Sequence, residues 1–136
     1  MSGQKGLGVV LKSPREIELM RAAGGLVFRV LSRMEDLVAP GVTTAELNAV
    51  AEEMIAEAGA TALFKGVTNP QARTPFPAAL CTSVNEEVVH GVPSDRVLKD
   101  GDIVSIDCGV RLDGYCGDSA RTFAVGRVSD DAQRLI

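Results

Sequence analysis

The sequence predicts an α+β fold in which two amphipathic helices pack on a largely antiparallel sheet. Two stretches in the first half open on capping residues and then repeat apolar residues at spacings of three and four. Two later runs alternate apolar and polar residues about an Asp113-Gly114 pair, a strong hairpin signal. The connectors between these segments are rich in Pro, Gly and polar residues. A chain of 136 residues suits a single domain with a modest core.

Taken in order, residues 1–12 are Gly-rich with a short apolar end and read as a tail or an edge strand. Ser13-Pro14-Arg15-Glu16 opens the first helix, with Ser13 as cap, Pro14 at the first helical position and Glu16 closing a capping box. Its apolar stripe is Ile17, Met20, Gly24, Val27, Leu31, Met34 and Val38, and Gly24-Gly25 permits close packing against another element. Pro40-Gly41 ends it. Thr43-Thr44-Ala45-Glu46 is a second capping box, and the helix after it should bury Leu47, Val50, Met54 and Ala58 before Gly59 stops it. Ala62-Leu63-Phe64 reads as a short strand, and Val67 to Pro77, with its three prolines, as a loop. Ala78 to Val84 is a strand, Asn85-Glu86 a turn, and Glu87 to Pro93 a further strand. The central hairpin runs from Asp102 to Val125. Ser129 then caps a helix with Asp130 and Asp131 at its positive end. Barely two turns follow, too few to be stable alone, so the end at Ile136 is expected to be a cut within a helix.

Composition narrows the function. A hydrophobic share of 46% and a charged share of 24% are ordinary for a globular protein, and a net charge of −4 argues against nucleic acid as a partner. No apolar run is long enough to span a bilayer and the first residues lack the apolar core of a secretory signal, so a cytoplasmic location without membrane attachment is expected. Three cysteines, Cys81, Cys108 and Cys116, have no CxxC spacing and read as reduced thiols. Neither a Gly-x-Ser-x-Gly elbow nor a phosphate-binding glycine motif occurs.

Two carboxylates stand out. Asp107 and Asp118 interrupt apolar strands, where an ionised group is costly without a cation or donors nearby. A hairpin centred on Asp113-Gly114 brings them near cross-strand register on one face, within about 8 Å. A shared divalent metal would hold both ionised; alternatively, Asp107 ends a strand and Asp118 turns the chain or pairs with Arg111 or Arg121. His90, the only histidine, lies near a strand end and reads either as a structural hydrogen-bonding group or as a functional one beside the carboxylates.

Three ordered blocks carry a family resemblance: C81-T-S-V-N-E-E-V-V-H90-G-V-P, G101-D-I-V-S-I-D107-C-G and D113-G-Y-C-G-D118-S-A-R-T-F-A-V-G126. Together with PREIELM and PGVTTAEL, they resemble the methionine aminopeptidases, bacterial type I above all, from about Lys12 to Gly126. The resemblance implies one half of a pita-bread fold, whose two pseudo-symmetric halves hold a pair of divalent metal ions (Co, Mn, Fe, Zn or Ni). Of the family's ligands, two aspartates carry over onto Asp107 and Asp118, the latter bridging; a histidine and two glutamates belong to the other half. His90 matches the substrate-contacting histidine, and Cys81 and Phe76 match positions lining the methionine pocket. The implied activity is metal-dependent removal of the initiator methionine from nascent polypeptides with a small second residue. Cys116 stands where the family commonly has His, which implies a local change in hydrogen bonding.

Residues 13–136 therefore read as the amino-terminal half of such a domain. With the second-half ligands absent, the chain alone is expected to bind metal weakly, to be inactive, and to be able to self-associate through its exposed half-interface. The alternative is a non-catalytic pita-bread-like module that binds protein. Retention of two costly carboxylates argues against it.

Overall fold

The computed structural model describes residues 9–136. Residues 9–12 carry no regular structure and Val9, Val10 and Leu11 are exposed, so no edge strand forms there; the rest of the expected tail, residues 1–8, lies outside the described residues.

Helix α1 (Pro14–Leu37) starts as its capping box requires. Ser13 N–H donates to Glu16 Oε2 at 2.7 Å, and Ser13 Oγ accepts from Glu16 N–H at 3.3 Å. The helix buries Ala23, Leu26, Val27, Val30, Leu31 and Met34. The expected stripe holds at Val27, Leu31 and Met34, but Ile17 and Met20 are 46% and 41% exposed and Gly24 faces outward. Adjoining rows on a helix have the same periodicity, so spacing alone did not select Ala23 over Gly24. Helix α2 (Thr44–Glu57) is capped by Thr43 in the same reciprocal way and buries Leu47, Ala51 and Ile55. Val50, Met54 and Ala58 pack at the margin of the core.

Four strands form one antiparallel sheet: β1 (Thr61–Ala62), β2 (Leu80–Val84), β3 (Ile103–Leu112) and β4 (Tyr115–Ala124). β3 is the middle strand. β4 pairs along one edge, while β2 and β1 follow one another along the other, opposite residues 104–108 and 110–111. The β3–β4 turn is Asp113-Gly114, with φ of 50° and 82°. That is the two-residue turn in which both residues are left-handed, and the expected hairpin forms about it. Thr61–Ala62 replaces the strand expected over 62–64, and β2 begins at Leu80 rather than Ala78.

Alternation sorts the sheet into two faces. Val104, Ile106, Cys108 and Val110 of β3, Leu80 and Val84 of β2 and Phe123 of β4 join α1 and α2 in the core. The opposite face carries Cys81, Ser83, Ser105, Asp107, Gly109, Asp118 and Thr122, with Ser105 and Thr122 hydroxyls bonded at 2.8 Å. A short helix α3 (Asp130–Leu135), capped by Ser129, ends the chain and buries no residue. No helix among the described residues is long and apolar enough to cross a membrane.

The strand expected over Glu87–Pro93 does not form. Its link to β2 is one short reciprocal contact: Thr82 N–H donates to Gly91 O at 2.8 Å, and Gly91 N–H to Ser83 Oγ at 3.1 Å. The backbone turns left-handed at His90, with φ 61°, which breaks any ladder. Val88 and Val89 are 87% and 64% exposed, so the apolar pattern there reflects no burial on this sheet.

Close packing against α1 does occur at Ala23 and Gly24, but the glycine that permits it is on the strand. A Cβ on Gly117 would lie 2.7 Å from Ala23 C and Gly24 N, whereas one on Gly24 meets nothing within 4 Å. Gly117→Ala should therefore destabilise the chain by about 2–4 kcal/mol, since helix backbone cannot step aside. Gly24→Ala should stabilise it by about 0.5–1 kcal/mol through helix propensity. Urea denaturation of both variants checks the contrast, and equal effects would refute it.

Candidate metal centre and adjoining cleft

The turn at Asp113-Gly114 dictates where the two aspartates meet. Asp107 pairs with Ala120 and Asp118 with Gly109, so the carboxylates stand on diagonal positions of one face, as the hairpin centre implied. Asp107 is half-buried and Asp118 exposed on the edge strand, so only the first is truly a carboxylate among apolar neighbours. Asp107 Oδ1 is buried without a hydrogen-bond partner among the described residues. Burial, then the Asp118 charge and a hydrogen bond shared with that carboxyl, push Asp107 up to about 6; His90 and the Cys108 N–H oppose the rise. A pair that resists double ionisation in this way is relieved by a cation.

The plain alternatives for Asp118, a turn or an ion pair with Arg111 or Arg121, are not formed: it lies within β4 and its carboxylate pairs with neither guanidinium. Alternation turns Arg121 toward the helix side, where Nη1 reaches Glu35 Oε2 at 3.0 Å and the guanidinium stacks 5.0 Å above Phe123. Gly109 makes room between the carboxylate and an aromatic wall. A Cβ there would lie 2.9 Å from Phe64 Cε1 and 3.4 Å from Asp118 Oδ2. Sequence spacing gives no sign of either role: Gly109 closes the D107-C-G block without a pattern of its own, and Phe64 reads from its neighbours only as a strand residue.

Beside the pair lies a cleft of about 400 Å³ that brings together Phe76, Cys81, His90 and Asp107. Phe64, Val67 and Val92 add apolar wall, for which no sequence motif gives a sign. Cys81 sits opposite Asp107 across β2 and β3, and its thiol is pushed up to about 11 by burial, then by the charges of Asp107 and Asp118. It is thus a neutral, polarisable wall and not a nucleophile. Cys108, on the helix side, is pushed up to about 12 chiefly by burial. Cys116 is exposed.

His90 reaches the cleft from an irregular segment, and Gly91 explains how. A Cβ at Gly91 would lie 2.2 Å from Thr82 O, so the chain lies directly on β2 at that point. Glu87 braces the segment, accepting from Val84 N–H and from Arg96 Nη1, each at 2.9 Å.

Two carboxylates, one with an orphaned buried oxygen, are a donor set suited to a hard divalent cation. They form only part of a shell: among the described residues no cluster of three or more His, Cys, Asp or Glu could hold a metal.

The profile of "Metallopeptidase family M24" matches residues 18–136. The methionine aminopeptidase of Clostridium perfringens is 51% identical over 128 residues, covering 94% of this chain and 49% of that relative. The solved methionine aminopeptidase of Rickettsia prowazekii superposes with a TM-score of 0.84 at 39% identity, covering 95% of this chain and 50% of its own. That of Thermotoga maritima gives 0.85 at 35%, with the same coverage. The chain thus spans about half the length of the relatives it matches. Its helix-backed antiparallel sheet is one half of a pita-bread fold. Because the family profile runs from α1 to the last residue and the backbone follows solved relatives through nearly its whole length, the chain belongs to metallopeptidase family M24.

Proposed function

We propose that this chain is the amino-terminal half of a metal-dependent methionyl aminopeptidase acting in the cytoplasm on nascent polypeptides that begin with Met and a small second residue. The observation that carries the reading is the juxtaposition of the diagonal Asp107–Asp118 pair with the cleft walled by Phe76, Cys81 and His90. In this reading Asp107 and Asp118 are metal ligands. When bound, divalent metal supplies Lewis acidity for hydrolysis of the peptide bond after the first residue.

The remaining roles fall to the chain's own side chains. Phe76, Phe64 and the neutral thiol of Cys81 offer an apolar, polarisable surface to a thioether side chain. His90, which lines the cleft with Asp107, donates a hydrogen bond to the substrate near the scissile amide and steadies charge there in the transition state. Two carboxylates leave most positions around a divalent ion to water, so the chain alone binds metal weakly and does not turn over.

Three outcomes follow. The 136-residue chain with added Mn²⁺ or Co²⁺ should not release methionine from a Met-Gly-Met peptide. Joined to the carboxy-terminal half of the Clostridium perfringens relative, it should do so, and Asp118→Asn should lower kcat/KM by at least about a thousandfold. A folded chimaera without turnover would sink the peptidase reading, and turnover by the chain alone that Asp118→Ala abolishes would overturn its inactivity. Calorimetric titration of the chain with Mn²⁺ should give binding weaker than about 0.1 mM; tight stoichiometric binding would mean that a ligand has been missed.

Stability should also report Asp107. Its folded pKa, about 6, lies above the ordinary value of 3.8, so its contribution is full below the ordinary value and is lost as pH rises through 6. Glu16, Glu46, Glu52 and Asp102, all held below their usual range, act in the opposite sense, losing stability as pH falls into the acid range. Asp107 should therefore withdraw stability from the metal-free chain between about pH 4 and 6, and Asp107→Asn should remove that loss in denaturation curves. An unchanged slope in the variant would contradict the assignment.

A further inference from the structure

Eight of the twelve residues around the cleft come from one segment, 64–77, which has almost no regular structure. Its two limbs are joined at the base, where Gly66 N–H donates to Phe76 O and Phe76 N–H to Val67 O, each at 2.8 Å. Val67 N–H to Phe64 O at 3.1 Å and Ala72 N–H to Asn69 O at 2.9 Å add turns within it, and side chains of α2 reach the chain at both of its ends. Asn48 Oδ1 accepts from both Ala79 and Leu80 N–H, at 3.0 Å each. Those amides lie between the Phe76-Pro77 wall and Cys81. One turn further along α2, Glu52 accepts from Lys65 Nζ at 2.8 Å, and Lys65 follows Phe64 on the opposite wall. The Lys65 ammonium above all, and after it the Asn48 amide, hold the Glu52 carboxyl below its usual range against desolvation.

We infer that Asn48, with Glu52 and Lys65, is a positioning latch that sets the aperture of the cleft by tying both of its walls to one helix face, a role that rests on reading the cleft as the pocket for the substrate's first side chain. The geometry separates this role from general scaffolding. Asn48 and Glu52 are only partly buried and lie outside the apolar core, and Lys65 is exposed. Their bonds reach the chain on both sides of the cleft-lining residues, at Lys65 beside Phe64 and at Ala79 and Leu80 between Pro77 and Cys81.

Cys81 provides the readout. In the full chain carrying Cys116→Ser, methyl methanethiosulfonate, a probe of thioether size, should label Cys81 slowly and the core thiol Cys108 more slowly still, with rates read by peptide mass spectrometry. Asn48→Ala should raise the Cys81 rate about tenfold and leave the Cys108 rate unchanged. Asn48→Asp, which keeps an oxygen for the Ala79 and Leu80 amides, should restore most of the protection. Lys65→Met, an exposed change that leaves folding intact, should raise the Cys81 rate about threefold at unchanged Tm; this arm decides the matter if Asn48→Ala fails to fold. A Cys81 rate within twofold of the parent in both Asn48→Ala and Lys65→Met would overturn the latch, as would a parallel rise at Cys108, which would signal general loosening. The labelling needs neither metal nor peptide, so a failed peptidase assay and a failed latch remain distinguishable.

Discussion

The register of the β3–β4 hairpin is the constraint on which the rest depends. Asp113 and Gly114 both take positive φ, and the two-residue turn they form leaves one way to pair the strands that follow. A slip of one residue would turn every β4 side chain over. Asp118 would then face α1, Gly117 would leave the point where only a glycine clears the helix backbone, and Arg121 would lose Glu35. In the register that forms, the helix side of the sheet is apolar and close-packed, and the other side is left for polar chemistry.

That second side is unusual in what it keeps. Burying part of a carboxylate beside another is unfavourable, and the cost is visible in the raised pKa of Asp107 and in its partnerless oxygen. Perturbed carboxylates of this kind cluster at functional sites, and both features fit the metal-ligand role proposed for the pair. The neighbouring hydroxyls behave differently. Ser83 accepts from Gly91 N–H, while Ser105 and Thr122 satisfy each other, so these hydroxyls have partners of their own.

The walls of the cleft are built by a different logic from its floor. The floor is ladder-bonded sheet; the walls are irregular chain held by individual side chains. Gly91 lies against Thr82, Glu87 and Arg96 brace the approach to His90, and Asn48 fastens the entry to β2. Irregular backbone can take many shapes, and a few polar bonds of modest net strength select one of them. A cleft shaped by so few bonds can be adjusted without disturbing the core beneath it.

Much of this was legible in the residues. Reciprocal caps at Ser13 and Thr43, the Asp113-Gly114 turn and the alternation of β3 depend on neighbours in sequence, so they determined both long helices, the hairpin and the diagonal placement of Asp107 and Asp118. The motif blocks around His90, Asp107 and Asp118 were likewise enough to place the chain beside the methionine aminopeptidases. What sequence spacing could not decide is anything set by contact between distant segments. Val88 and Val89 alternate like a strand yet stand exposed, because His90 turns left-handed and no ladder continues. Ala23, not Gly24, faces the sheet, since neighbouring helix rows share one period. Gly109 and Gly117 matter for atoms of Phe64 and α1 that lie far off in the chain. Local periodicity fixes which face a residue takes along its own element; only the packed structure decides what meets that face, and there the cleft acquired its walls.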